Sequence, residues 1–262
     1  EIPINKVPDN VVADPIDAYT GAHLLTNTVM SLLGGQGIRL KLHYDSTQLA
    51  SGVLGSGWYH NYEKHIEVEE SEALVYNNPA TYSRYTAEND TYTRFNCSSA
   101  NKNGYVLTVD HSSQYPYIIN CNCARTEYYN SDGNLAKLVD HQGFETVISY
   151  SDILITITDL ASGKNIYLEK DVTGKVSRIY DDAEREVILS YSGDLLTTIC
   201  DVNGNKLTYA YDEEGRIKSG TDSQGVCYFQ NVYDKYGRVI EQKDAILGSI
   251  KTTFVYKKNK RI

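Results

Sequence analysis

The stretch YDEEGRIKSGTDSQG, Tyr211 to Gly225, opens on a tyrosine, reaches a glycine four residues later, and closes on an aspartate and a second glycine. Twenty-two residues after Tyr211 the same grammar restarts in YDKYGRVIEQKDAILG, Tyr233 to Gly248. Self-similarity at a period of 20–50 residues marks a repeat architecture. The register extends outward: Tyr129, Tyr150, Lys170, Tyr191, Tyr211, Tyr233 and Tyr256 follow one another at spacings of 21, 20, 21, 20, 22 and 23. Between them stand Asp140, Asp159, Asp181, Asp201, Asp222 and Asp244. Gly133, Gly174, Gly215 and Gly237 come four residues after an anchor; Gly143, Gly163, Gly204, Gly225 and Gly248 come three or four after an aspartate. Two features that keep step over six cycles define a building unit used many times, not a duplicated site.

Each glycine ends a polar cluster (NSDG, DVNG, DEEG, DSQG, DKYG). Glycine supplies a positive φ there, and Asp or Asn bonds nearby backbone, so these are turns. Asn203-Gly204 matches the favoured two-residue hairpin turn. Between turns the chain alternates: Leu207, Tyr209 and Tyr211 share a face, as do Val187, Leu189 and Tyr191, and Phe229 and Tyr233. Alternation over about five residues bounded by turns is a strand with one better-buried face. Each cycle of about 21 residues is therefore two strands and two turns. The stretch DDAEREVILSY, 181–191, has helix formers and an Asp cap, but the register places Asp181 at a turn and Tyr191 at a strand end, and the register decides for strand. With Glu184 where the other cycles carry glycine, that turn is expected to be looser or longer.

A lone hairpin is marginal in water. Six in series become stable when each pairs edge to edge with the next, and right-handed strand twist winds the product into a curve. The expected fold is all-β: antiparallel hairpin repeats stacked into a curved β-spiral or open shell with an N-terminal β cap. Residues 1–75 form the pre-repeat β domain, 76–125 connecting strands, and 126–262 the repeats. In the first part, DPIDAYTGAHLLT turns at Asp14-Pro15 and Thr20-Gly21. IRLKLHYDS alternates with Ile38, Leu40, Leu42 and Tyr44 on one face, and LGSGWYHNYEKHIEVEE gives a glycine turn and a strand carrying the single Trp.

The aromatic set is lopsided, 23 Tyr against 4 Phe and 1 Trp, which suits sheets wet at the hydroxyl and apolar along the ring. A net charge of −9 repels phosphate backbones, so nucleic acid is not an expected partner, and the basic run KKNKRI, 257–262, is read as a solvated tail. No apolar stretch approaches the roughly 20 residues of a membrane span. The chain opens on Glu1 and stops within a cycle; it is read as a segment of something longer, for which missing targeting signals carry no weight. Cys97, Cys121, Cys123, Cys200 and Cys227 are too few and too scattered for a disulfide framework. They are expected as small buried hydrophobes, with a Cys97 disulfide to Cys121 or Cys123 as the lesser alternative.

Chemistry is sparse. There is no GxSxG, P-loop or GxGxxG. His60, Glu63 and His65 come closest to a cluster, but on one strand they alternate faces, so one metal cannot collect all three. DVNGN lacks the spacing and the bidentate glutamate of a calcium loop. Neither catalysis, a metal nor a cofactor is expected.

YDEEGRIKSGTDSQG, YDKYGRVIEQKDAILG and YNSDGNLAKLVDHQG resemble the YD repeat of Rhs-type proteins. DPIDAYTGAHLLT and LHYDSTQLASGVLGSGWYHNYE look like the domain that precedes those repeats, with its DP…TG and GW…H..YE signatures. The resemblance covers nearly the whole chain. It implies large secreted or cell-surface bacterial proteins, polymorphic toxins or wall-associated proteins, whose repeats wind a β-sheet into a shell around a C-terminal effector. The family's self-cleavage motif lies after the repeats and has no counterpart here. The implied role is structural, with the rest of the same polypeptide as partner. The alternative is a module that binds cell-wall glycan or a surface receptor through rows of Tyr and Asn/Asp turns.

Overall fold

The structure, a computed structural model, describes residues 11–12, 16–34, 37–99, 102, 104–122, 124–244 and 250–256, with backbone alone for Val11, Val12, Asp244 and Ile250. Every element among them is a strand. Nineteen, from His65–Val68 through Glu72–Tyr76 to Ile250–Thr253, form one sheet in which chain neighbours pair antiparallel. This is the expected wall of stacked hairpins, and 181–191 is part of it: a turn, then the strand Glu186–Ser192.

The period-two pattern puts one set of side chains on an inner face. Ile148 pairs Ile157, which pairs Ile166; Leu168 pairs Ile179, which pairs Val187. All six are buried. Each such side chain contributes roughly 1.5–3 kcal/mol by leaving water, and it does so only because a neighbouring hairpin lies beside it.

One loop recurs. In Asn130–Asn134, Asp140–Phe144, Asp171–Lys175, Asp181–Arg185, Asp201–Asn205, Asp212–Arg216, Asp222–Val226 and Asp234–Arg238, the fourth residue's N–H donates to the first residue's carbonyl at 2.9–3.1 Å. The first residue's N–H in turn donates to the carbonyl of the fifth. The leading Asp or Asn also accepts, through one side-chain oxygen, the N–H of the third and fifth residues, as Asp201 does from Asn203 and Asn205, both at 2.8 Å. This is a three-residue hairpin loop closed by a left-handed residue. Asn203-Gly204 is thus not the two-residue turn expected, because only Gly204, at φ 82°, takes the left-handed conformation; the Asp201 carboxylate organises a longer loop.

Glu184 overturns a second expectation. Its turn is neither looser nor longer: Glu184 adopts φ 60° and donates to the Asp181 carbonyl at 3.0 Å, as the glycines do in their loops. The aspartate dictates the loop, and the glutamate bears the steric cost of about 1–2 kcal/mol. Glu184→Gly is therefore expected to stabilise the chain by about 0.5–1 kcal/mol after the added freedom of the unfolded glycine is allowed for. Urea unfolding should show a raised midpoint at unchanged slope.

At the other end of the hairpins the ladder carries bulges. The register shifts at Tyr129, Lys170, Tyr191, Tyr211 and Tyr233, where the anchor faces a strand with one extra residue. Bulges bend a strand and sharpen its twist, so curvature enters at each of these five anchors, while the hairpin at Tyr150 keeps a regular register.

The N-terminal part does two things. Its last strands, His65–Val68 and Glu72–Tyr76, begin the wall. Before them Leu24–Leu32, Ile38–Asp45 and Trp58–His60 form a separate three-stranded sheet. Ile38, Leu40, Leu42 and Tyr44 are buried as their alternation predicts, and what covers them is the wall: the Trp58 ring lies 5.3 Å from Tyr44 of its own sheet and 5.3 Å from Tyr209 of the repeats. The block thus lies against the wall's inner face.

Candidate functional site

The seam between this block and the wall concentrates the molecule's buried polar groups. Four hydrophobic residues that follow a loop, Leu135, Val176, Ile217 and Val239, are fully buried. The bulged register leaves their N–H groups free for partners outside the sheet. Leu135 donates to Lys64 O at 3.1 Å, Val176 to Val53 O at 2.8 Å and Val239 to Gly21 O at 2.9 Å. Ile217 donates to the Tyr44 hydroxyl at 2.9 Å. The carbonyls of the same residues accept the anchor hydroxyls of later strands: Tyr150 to Leu135 at 2.8 Å, Tyr191 to Val176 and Tyr233 to Ile217 at 2.7 Å, and Tyr256 to Val239 at 2.6 Å. Tyr211 donates to Leu196 O and accepts from Trp58 Nε1 at 3.1 Å. Tyr129 turns its hydroxyl to Glu127 at 2.7 Å, and Lys170, standing where a tyrosine is expected, points its ammonium at Ser151 O.

These tyrosines are buried or half-buried, and they tie one hairpin to the previous one at its bulge. Each such bond contributes about 1 kcal/mol. Tyr191→Phe is expected to lose about that much in urea unfolding, leaving Val176 O short of a partner, and Tyr233→Phe less, because Ile217 O still accepts from Asn231 Nδ2 at 3.3 Å.

The register's acidic residues are likewise engaged in the fold. Asp140, Asp181, Asp201 and Asp222 organise the loops described above, and Asp159 does so in a longer loop closed by Gly163 N to Asp159 O at 2.8 Å. Gly133, Gly143, Gly174, Gly204, Gly215, Gly225 and Gly237 hold the left-handed position of theirs. Asp244 ends the strand Val239–Asp244; its side chain and Gly248 lie outside the described residues, as do Cys123 and the 257–262 tail. Asn130, Asp171, Asp212 and Asp234 build the same loop at the other hairpin end; NSDG, DEEG and DKYG were legible as turns, whereas Asp171, in DVTG, was not singled out. The signal was present: each directly follows an anchor, as Asp212 follows Tyr211. Arg216 and Arg238 complete the motif, pairing with Asp212 and Asp234 and lying 4.6 and 4.5 Å over the next anchors, Tyr233 and Tyr256.

Where the block hands over to the wall, Glu127 is buried beneath Lys64 Nζ at 2.7 Å, Arg125 at 2.6 Å and the Tyr129 hydroxyl. Burial pushes its carboxyl up, but the two cations and the hydrogen bonds outweigh that and hold it at about 2. The stretch around His60 is not the continuous strand the sequence suggested. The chain turns at Asn61–Tyr62, and His60, Glu63 and His65 line one cavity of about 460 Å³ with Lys64, Tyr150 and Lys170. Glu63 accepts the N–H of Val53 at 3.0 Å and of His60 at 3.3 Å. Burial raises it to about 7 and lowers His60 to about 3, with a smaller push from His43. Glu63, Lys64 and Tyr150 are committed to fold contacts, and among the described residues no cluster suits a metal.

Cys97, Cys121, Cys200 and Cys227 are free thiols. Cys97 and Cys121 flank the strand Val106–Val109 from either side, since Asn96 and Asn120 both pair with Val106. Two strand spacings come to about 9–10 Å, beyond the roughly 7 Å a disulfide spans.

The fold and seam define an all-β repeat wall that carries an N-terminal block on its inner face. A family model described as a domain of unknown function (DUF6531) matches residues 13–84, which take in that block and the first wall strands. No curated protein matches the chain. Among solved structures it is similar to TcdB2-TccC3 without its hypervariable C-terminal region, at 12% identity and a TM-score of 0.30, over 90% of this chain and 13% of that one. The TcdB2-TccC3-Cdc42 structure gives 11% identity and a TM-score of 0.30 over 90% and 14% of the two chains. The TcdB2-TccC3-TEV structure gives 11% and 0.29 over 98% and 14%. The chain spans 13–14% of the length of these structures.

Proposed function

We propose that this chain is a non-catalytic stretch of an Rhs/YD-repeat β shell, secreted or at a bacterial cell surface, that encloses or presents a polypeptide encoded further along the same chain. The observation that carries this reading is the direction of the register residues. Tyrosine hydroxyls and loop carboxylates that could have met a ligand are engaged within the fold, most of them by backbone groups of the wall itself. Sequence order supports it too, a pre-repeat block followed by YD cycles. The test is limited proteolysis of the natural full-length chain. Sequence beyond the repeats should resist cleavage while the wall is intact and become sensitive when urea opens it; equal sensitivity in both states overturns the reading.

A surface-binding role is the second reading, favoured by one feature of the outer face. Tyr167 and Tyr180 stack at 4.9 Å, with Arg178 4.3 Å over Tyr180. Saturable binding on a glycan array, lost in a Tyr167→Ala/Tyr180→Ala variant, would move the assignment to that face.

A further inference from the structure

His23 stands apart from the satisfied groups of the seam. Its ring is fully buried, and among the described residues neither Nδ1 nor Nε2 meets a hydrogen-bond partner. A neutral imidazole always carries one N–H, so an unpaired donor is held in the core whichever tautomer is present. The ring is wedged between the two halves of the molecule, 4.6 Å from Phe229 of the wall and 6.1 Å from Tyr44 of the block. It cannot swing out alone, because its own N–H donates to Ser46 Oγ at 2.9 Å and its carbonyl accepts from Ser46 N at 3.0 Å.

His23 ends a short strap. Ile16 bridges His23, and the turn between them carries Gly21 against the wall. A Cβ there would come within 2.6 Å of the Arg238 side chain, and Gly21 O receives the Val239 N–H. The rings that face His23 are Tyr44, whose hydroxyl is engaged by Ile217 N, and the apolar Phe229, while the Ser46 hydroxyl is held by the His23 backbone. The charged groups that border the strap are Asp17 on it and the Arg238–Asp234 pair beneath it. Burial alone lowers the ring from its ordinary 6.5 to about 3.

We propose that His23 is an acid-sensitive latch: its protonation lifts the strap, residues 16–23, off the last repeats while the rest of the seam stays closed. The physical reason is linkage. A group whose folded pKa is depressed below its free value takes up protons preferentially in the open form, so closure weakens as pH falls below about 6.5. The strap is joined to the wall by one described backbone hydrogen bond, at Val239, and by the packing of Gly21 and His23. His60 and Glu63 line a cavity with Asn134 and Tyr150, where the amides of Leu135 and Val176 report on them separately. The latch does not depend on what the wall encloses.

The test is amide hydrogen exchange on the intact chain between pH 7 and pH 5, with rates corrected for intrinsic pH dependence. Protection at Val239 is expected to fall about 25-fold across that range, from the two pKa values, while Leu135 and Val176 change little, because there the raised Glu63 carboxyl favours closure as pH falls and offsets the depressed His60. His23→Phe, which fills the site without a titrating group, should hold Val239 protection constant. Unchanged Val239 protection in the natural chain overturns the proposal, and so does loss in step at Val239, Leu135 and Val176. If the variant does not fold, the His23 ring resonances of the natural chain decide: the latch requires the ring to stay neutral until Val239 opens, and a free titration near 6.5 with Val239 still protected rules it out.

Discussion

Alanine in place of Gly133 is expected to destabilise the chain by about 3 kcal/mol or more, whereas alanine in place of Gly204 should cost about 1–2 kcal/mol. The two glycines hold the same position of the same loop, at φ 79° and 82°, so the backbone strain of an L side chain is common to both. What differs is the surroundings. None of the described residues lies within 4 Å of a Cβ built on Gly204, while one on Gly133 falls 2.3 Å from the carbonyl oxygen of Ile66. That oxygen belongs to the first strand of the wall. Gly133 O accepts Ile66 N–H at 2.8 Å, and His65 bridges Asn134, so the wall closes on itself at this loop. A methyl group there must push the first strand away from the hairpin that anchors it. Urea unfolding of both variants gives the comparison, and exchange at the Ile66 amide locates the damage. Equal costs for the two would mean that the closure contributes nothing.

The same contrast shows what a sequence of this kind reveals. The 21-residue period and the two-residue alternation are local, and they announced the hairpins, the better-buried face of Val187 and Leu189, and the strand at 186–192 against its helical composition. Gly133 and Gly204 look alike in the sequence because the turn requirement is local too. Only long-range packing separates them, since Ile66 is 67 positions from Gly133. For the same reason the sequence showed an N-terminal β cap whose strands run into the sheet, as His65–Val68 and Glu72–Tyr76 do, but not that the three strands before them lie along the inner face. The partners in that seam, Trp58 with Tyr211, Tyr44 with Ile217 and Gly21 with Val239, share no motif. Glu184 and Asn203 mislead for a different cause. Glycine is the conspicuous residue of each turn, but the carboxylate three residues earlier fixes the loop and tolerates a glutamate in the strained position.

Replacing Glu127 by Gln is expected to cost about 3–5 kcal/mol, the range for breaking a buried ion pair by removing one partner. Lys64, with 12% of its side chain exposed, would then have no counter-charge at 2.7 Å, and the Tyr129 hydroxyl would lose its charged acceptor. Lys64 lies at the end of the block and Glu127 on the strand Arg125–Tyr129, so the pair joins block to wall beside the closure at Gly133. Its pH dependence distinguishes this account from simple packing damage. A carboxyl held at about 2 in the fold, against an ordinary 4.5, contributes stability that is fully present above the ordinary value and is lost as pH falls through the folded one. The group is buried, so solvent screening removes little of that contribution, roughly 3 kcal/mol. Between pH 4.5 and pH 2 the natural chain should therefore lose stability faster than Glu127→Gln, and the two should converge toward the acid end. His23 and His60 add an acid-labile contribution of their own, but it is common to both chains and cancels in the difference. A gap between natural chain and variant that stays constant from pH 7 to pH 3 would show that the carboxylate's charge has no part in holding the block to the wall.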